Sequence, residues 1–198
     1  MKNKSLFIIV ATLIMASNSF AQKTGTFKDI RDGKTYKTVK IGTQTWMAEN
    51  LAFKADTGCW AYDNDQSNVS VYGYLYKWEA AKNACPAEWH LPTDEEWTRL
   101  IDFLGGKEVA AGKLKAEILW QKPNDGNAND IIGFSGLPSG FRNLYGEYYG
   151  LGVDCAWWSI TEDRTIYAWA RQLNFDVQNV GVVSFRKYGG FSVRCIKD

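Results

Sequence analysis

The chain has 198 residues, 45% of them apolar and 15% aromatic, with 23 Lys and Arg set against 22 Asp and Glu. That balance leaves no basic cluster to engage a phosphate backbone, which argues against nucleic acid as a partner. No stretch approaches the roughly 20 consecutive apolar residues that a spanning helix needs, so no membrane span is expected.

The N-terminus carries Lys2 and Lys4, an apolar run over 6–16, and Ser19-Phe20-Ala21 as a small-x-small cleavage site. This pattern is that of a secretory signal peptide, 1–21, cleaved after Ala21. The remainder, 22–198, is about the length of one domain, and losing two lysines takes its formal charge from +1 to −1. The first cysteine is Cys59, too far along for a lipid anchor, so the expected location is secreted, periplasmic or at the cell surface. Disulfides form in such compartments. Cys59, Cys85, Cys155 and Cys195 permit three pairings, and the residues alone leave all three open.

Residues 27–30 and 36–41 alternate apolar and polar around an Asp32-Gly33 turn, which predicts a hairpin. Gly42-Thr43-Gln44 then turns the chain into a third short strand over 45–51. Loop is expected over 53–71. Tyr74, Leu75, Trp78 and Ala81 follow a helical period that ends at Asn83-Ala84. Pro86 and Pro92 bracket a rigid bridge whose Trp89 and Leu91 face a core.

The stretch that organises the chain comes next. Thr93, with Glu96 three residues on, forms a capping box. Trp97, Leu100, Ile101 and Leu104 make one apolar stripe, and Gly105-Gly106 supplies a left-handed stop. A weaker helix over 109–116 leads to a polar loop over 121–130. From Gly133 onward the spacing is that of strands, over 133–142, 156–160, 167–173, 180–186 and 191–196, all antiparallel by their short connections. The expected class is α+β, with two helices and long loops over a small antiparallel sheet.

Two loop tracts place oxygens at alternate positions: Asp63, Asp65, Ser67 and Asp125, Asn127, Asn129. Neither is an EF-hand, because the sixth residue is Asn68 or Asp130 and the twelfth is Tyr74 or Gly136. They read as turn residues bonded to their own backbone, so no metal is expected. His90, the sole histidine, lies between Trp89 and Leu91 and reads as structural, which leaves no complete nucleophile machinery. Asp94, Glu95 and Glu96 crowd a helix N-terminus, where they complement its dipole and form no acid/base pair. No cofactor is expected.

Aromatic residues are the remaining candidates. Tyr145, Tyr148 and Tyr149 fall in a Gly-punctuated segment over 143–152, and Trp60 and Tyr62 occupy the other long loop. Flat rings with a polar tip, backed by Arg142, Asn143 and Glu147, suit the C–H faces and hydroxyl edges of sugars. The alternative role for these rings is to cover a sheet edge.

Five blocks in order are familiar: Gly73-Tyr74-Leu75-Tyr76-Lys77-Trp78-Glu79-Ala80-Ala81; Cys85-Pro86 through Trp89-His90-Leu91-Pro92-Thr93 to Glu96-Trp97; Gly133-Phe134-Ser135-Gly136-Leu137-Pro138-Ser139-Gly140-Phe141-Arg142; Trp158-Ser159 to Thr161-Glu162; and Ser192-Val193-Arg194-Cys195-Ile196. Together they resemble the Fibrobacter succinogenes major paralogous domain, over about 29–198. The resemblance implies export by a bacterium, an activity mostly unassigned, and a C-type-lectin-like fold akin to formylglycine-generating sulfatase modifiers. It also implies a disulfide between Cys85 and Cys195, which leaves Cys59 with Cys155. The further cysteine pair that relatives often carry around 63–69 is missing here, so the partner of Cys59 stays open.

A copper-dependent formylglycine reaction needs two close thiolates in the C-terminal half. Cys155 and Cys195 are far apart in sequence, and the resemblance already gives Cys195 a structural role. Lectin-type calcium binding is not expected either, since Lys122 stands where an anionic ligand is required. The expected function is a secreted, non-catalytic module that binds polysaccharide or a cell-envelope protein through its aromatic loops. The rivals are an enzyme related to sulfatase modifiers and a structural envelope subunit.

Overall fold

The structure is a computed structural model that describes residues 23–121 and 128–198; the expected signal peptide and the positions of Lys122, Asp125 and Asn127 lie outside the described residues. In chain order the elements are strands β1 (Lys23–Lys28), β2 (Thr35–Ile41), β3 (Gln44–Met47) and β4 (Cys59–Trp60), helix α1 (Val69–Tyr72), strand β5 (Leu75–Lys77), helix α2 (Trp78–Ala81) and strand β6 (Trp89–His90). Helices α3 (Asp94–Phe103) and α4 (Lys107–Leu114) follow. The rest is strand: β7 (Ser139–Arg142), β8 (Tyr148–Leu151), β9 (Asp154–Arg164), β10 (Tyr167–Asn174), β11 (Gly181–Arg186), β12 (Gly190–Ser192) and β13 (Ile196–Lys197). The class is α+β, with two sheets in place of one small one.

The first sheet runs β1-β2-β3-β13-β6 and the second β11-β10-β9-β7-β12-β5-β4, with β8 on β7. The opening hairpin closes as its turn residues dictate: the Gly33 N–H donates to the Asp29 carbonyl at 2.8 Å, and the buried Asp29 carboxylate accepts from Arg31 at 2.7 Å. Helix α3 has the capping box in full, with Glu96 N–H donating to Thr93 Oγ1 at 3.1 Å and Thr93 N–H donating to Glu96 Oε2 at 2.8 Å. Gly105, at φ 104°, ends it.

Four expectations about the elements and their pairing are corrected. The helix expected over 74–84 is a strand followed by a single helical turn, because Leu75 pairs with Trp60 on one side and Ser192 on the other. Tertiary pairing wins over a local period that Leu75 and Trp78 happen to satisfy. The stretch 53–71, expected as loop, contains β4, two 3-10 turns (Tyr62–Asn64 and Gln66–Asn68) and the start of α1. The Gly-rich 143–152 segment is half strand, since β8 folds back on β7. Nor are the late strands all antiparallel: β9 meets β7 in parallel through Gly140 and Cys155, and meets β12 in parallel through Ser192 and Trp157.

Two apolar cores result. The first gathers Tyr36, Tyr76, Trp78, Trp158, Phe191 and Cys195, and the second gathers Trp46, Trp97, Phe134, Trp157 and Cys155 under α3 and α4. Trp157 and Trp158 are neighbours on β9 and enter different cores, because successive side chains on a strand point to opposite faces. Cys85 and Cys195 are joined in a disulfide with their Cα atoms 5.9 Å apart. The pairing of Cys59 with Cys155 does not occur; both are free. Cys59 packs against the first core and Cys155 lies in the second, so the two thiols have no route to each other.

Arg194 is fully buried and ties the cores together. Its guanidinium donates to Asn50 Oδ1 at 2.8 Å and to the Phe134 carbonyl, and lies 4.4 Å from the Phe134 ring centre. Asn50 Oδ1 also accepts from Trp157 Nε1 at 2.8 Å. Burial pushes the Arg194 pKa down to about 10.

Candidate functional site

Strand β4 lies at the edge of the second sheet, and its Trp60 pairs with Leu75. The chain then enters the Tyr62–Asn64 turn, with Asp63 and Asn64 in the left-handed region at φ 54° and 57°. Asp65 accepts from the Ser67 N–H at 2.9 Å. The oxygen-rich tract is thus a turn bonded to itself, as its composition indicates. Among the described residues no three His, Cys, Asp or Glu side chains converge as metal ligands.

The hairpin of β7 and β8 approaches the same edge. Its turn is closed by Asn143, whose Oδ1 accepts from Tyr145 N–H and Glu147 N–H, both at 2.9 Å, while its Nδ2 donates to Glu147 at 2.8 Å. The register pairs Arg142 with Tyr148 and Phe141 with Tyr149. Paired residues share a face and neighbours alternate, so this register sorts the candidate rings onto two sides.

One side carries Trp60, Tyr62, Arg142 and Tyr148, all half-buried. The Arg142 guanidinium lies 4.0 Å from the Trp60 ring centre and 5.9 Å from that of Tyr148. Tyr62 and Tyr148 have ring centres 5.3 Å apart, and the Tyr148 hydroxyl donates to Asn64 Oδ1 at 2.8 Å. Gly140, at φ +63°, sits beneath Tyr62: a Cβ there would come within 2.5 Å of the ring and 2.5 Å of the Tyr149 carbonyl. Only glycine lets the turn dock on the hairpin. Burial pushes the Tyr62 pKa up, and the nearby Asp63 charge adds to the shift.

The other side carries Tyr149, whose ring packs 5.9 Å from Phe141 and whose hydroxyl donates to Glu147 at 2.8 Å. Hydrogen bonds from Asn143 and Tyr149 hold the Glu147 carboxyl below its usual range. Tyr145 is at the tip, 81% exposed. Of the seven residues singled out in the sequence, four meet on one face, Tyr149 is across the hairpin from them, Tyr145 extends from its tip, and Asn143 is committed at both ends of its amide to the turn. Sequence reasoning missed Asn64 and Gly140. Asn in a post-aromatic turn was the available signal for the first, and nothing short of the register points to the second.

A separate cleft of about 530 Å³ includes Lys34, Lys37, Glu49, Asn50, Gly73 and Ser135 in its lining, with no aromatic ring. Its Asn50 amide is already engaged with Arg194 and Trp157. His90 is occupied too: its ring nitrogens face Asp198 at 2.5 Å and Glu96 at 3.0 Å.

No curated protein and no solved structure matches this chain. The model of one family, the Fibrobacter succinogenes major domain, matches residues 39–197, a span that takes in the second core, most of the first, the disulfide and the aromatic face. The chain therefore belongs to the Fibrobacter succinogenes major domain family.

Proposed function

We propose that this protein is an exported, non-catalytic binding module that engages polysaccharide through the face built by Trp60, Tyr62, Arg142 and Tyr148. The observation that carries the reading is the convergence of those side chains from separate segments, with tyrosine ring centres 5.3 Å apart and the Arg142 guanidinium over the Trp60 ring. Sugar rings present C–H patches flanked by hydroxyls, and such a surface matches both. Export is supported by the Cys85 to Cys195 disulfide, which belongs to an oxidising compartment. A C-type-lectin-like arrangement is supported by the pairing of β13 with β3, and by that disulfide, which ties the segment after the helical turn α2 to the residue before β13.

The sulfatase-modifier alternative is weakened by the state of its required groups. Cys195 is in a disulfide, and the fully buried Cys155 thiol has its pKa pushed up by burial, away from the thiolate that copper binds. His90 is held by two carboxylates and serves as a structural link.

A glycan array followed by calorimetry on the purified protein tests the proposal. Binding to at least one polysaccharide class is expected, weakened tenfold or more by Tyr148→Ala with the melting temperature little changed. Failure to bind any polysaccharide refutes the glycan reading.

A further inference from the structure

We infer that the aromatic face recognises an anionic saccharide, with Arg142 as the point that receives a carboxylate or sulfate group on the sugar. The inference rests on the glycan reading above and narrows it to one ligand chemistry.

Arg142 lacks a partner that three other arginines have. Arg31, Arg171 and Arg194 each bond an oxygen: the Asp29 carboxylate at 2.7 Å, the Asp94 carboxylate at 2.5 Å and the Asn50 amide at 2.8 Å. Among the described residues no oxygen accepts a hydrogen bond from the Arg142 side chain; its Nε, like that of Arg171, is buried with no partner, but Arg171 has a carboxylate on its other nitrogens and Arg142 does not. A buried donor left without an acceptor is costly, and a guanidinium is the side chain best shaped to hold a planar anion by two parallel bonds. Stacking on Trp60 fixes the plane of the group and uses none of its N–H donors. The hairpin leaves room for it as well: a Cβ on Gly146 would fall 2.7 Å from Arg142 Nη2. The hairpin's own acid, Glu147, is turned to Asn143 and Tyr149 and does not neutralise the cation.

A second cation stands in the same row. Gly190 on β12 is the register partner of Arg142 on one side and of Lys77 on the other, so the two cations rise from one face with only a glycine between them. Trp60 lies over that glycine, within 3.3 Å of where its Cβ would be. The Lys77 ammonium sits 5.0 Å from the ring of Tyr188, which is 58% exposed. A ring thus accompanies a cation on each flank of β12, Tyr188 with Lys77 on one and Trp60 and Tyr148 with Arg142 on the other. An acidic polysaccharide offers the matching chemistry, with sugar faces for the rings and anions for the cations.

The test compares polygalacturonate, dextran sulfate and neutral dextran by calorimetry at two salt concentrations, with wild type, Arg142→Met, Arg142→Lys and Lys77→Met. Arg142→Met keeps an apolar stem on Trp60, and circular dichroism establishes that each variant is folded. The expected result is at least tenfold tighter binding to one anionic polymer than to dextran, weakening with salt. Polygalacturonate preference assigns the carboxylate and dextran sulfate preference the sulfate. Arg142→Met is expected to remove the preference, Arg142→Lys to retain part of it, and Lys77→Met to reduce it a few-fold. Equal binding of neutral and anionic polymers, or a preference that survives in Arg142→Met, overturns the anionic assignment and leaves the glycan reading standing. Binding to another glycan on the array but to neither anionic polymer overturns the anionic assignment alone, and binding to no glycan at all overturns both.

Discussion

The two cores contain much the same side chains and are closed by different means. The first, around Tyr76, Trp78 and Trp158, includes one end of a covalent tie whose half-cystines are 110 residues apart. The second, around Trp46, Trp97, Phe134 and Trp157, has no such tie; its only cysteine is the free Cys155. A disulfide acts mainly by restricting the unfolded chain, whereas packing acts in the folded one. The contrast is sharp enough to break by experiment, because the two devices respond to different insults.

The largest effect is expected from removing the tie. Cys85→Ala with Cys195→Ala should lower stability by about 4–5 kcal/mol on the chain-entropy scale, read as a much lower thermal midpoint. A loss below about 1 kcal/mol would mean that packing closes the first core as it does the second. Next comes Trp97→Ala. This ring is fully buried against Trp46, Phe134 and Trp157, with centres 4.7, 6.1 and 5.9 Å away. Truncation should cost about 3–5 kcal/mol in urea unfolding. The cost should be the same with and without reductant; a reductant-dependent value would show that the two cores share one closure.

A smaller effect is expected from Cys59→Ala with Cys155→Ala, about 1–2 kcal/mol from lost packing alone. Titration of the unfolded, unreduced protein should count two free thiols. In the folded protein only Cys59, half-buried and donating to the Ala55 carbonyl at 3.4 Å, should react at an appreciable rate.

The smallest effect belongs to His90, which links the strand before α3 to the capping box. Burial alone would lower its pKa, but the hydrogen bonds its ring donates to the Asp198 and Glu96 carboxylates outweigh that and raise the value above 6.5. A raised folded-state pKa stabilises when the group is protonated, so the contribution is fully present below pH 6.5 and fades as pH rises through the higher folded value. The difference in melting temperature between wild type and His90→Gln should therefore shrink as pH rises past neutrality. A difference that grows with pH would mean that the two carboxylates do not stabilise the protonated ring.

What the sequence discloses is what neighbours decide among themselves. The capping box of Thr93 and Glu96, the Gly105-Gly106 stop and the Asp32-Gly33 hairpin depend on residues a few positions apart, and each appears where its spacing places it. Leu75 and Trp78 satisfy a helical period and a strand equally well, and only partners far along the chain settle the matter. The aromatic site divides in the same way. Its ring types are visible in composition, but the separation of Tyr148 from Tyr149 and the stacking of Arg142 on Trp60 follow from a register that no local pattern encodes.

The position of β13 in the first sheet governs the order in which the chain can fold. Strands β1, β2 and β3 come early, yet β3 and β6 acquire their common neighbour only through Ile196, which pairs with Trp46 on one side and His90 on the other. While the chain is being made, the edge of β3 has no partner, and the apolar face of Val39, Ile41 and Trp46 has only part of its cover. Contacts spanning so much sequence slow folding, and an unpaired edge during the wait invites association between chains. A nascent chain halted before Cys195 is thus an open sheet with its latch missing, exposed to pairing with its own copies until Ile196 is made.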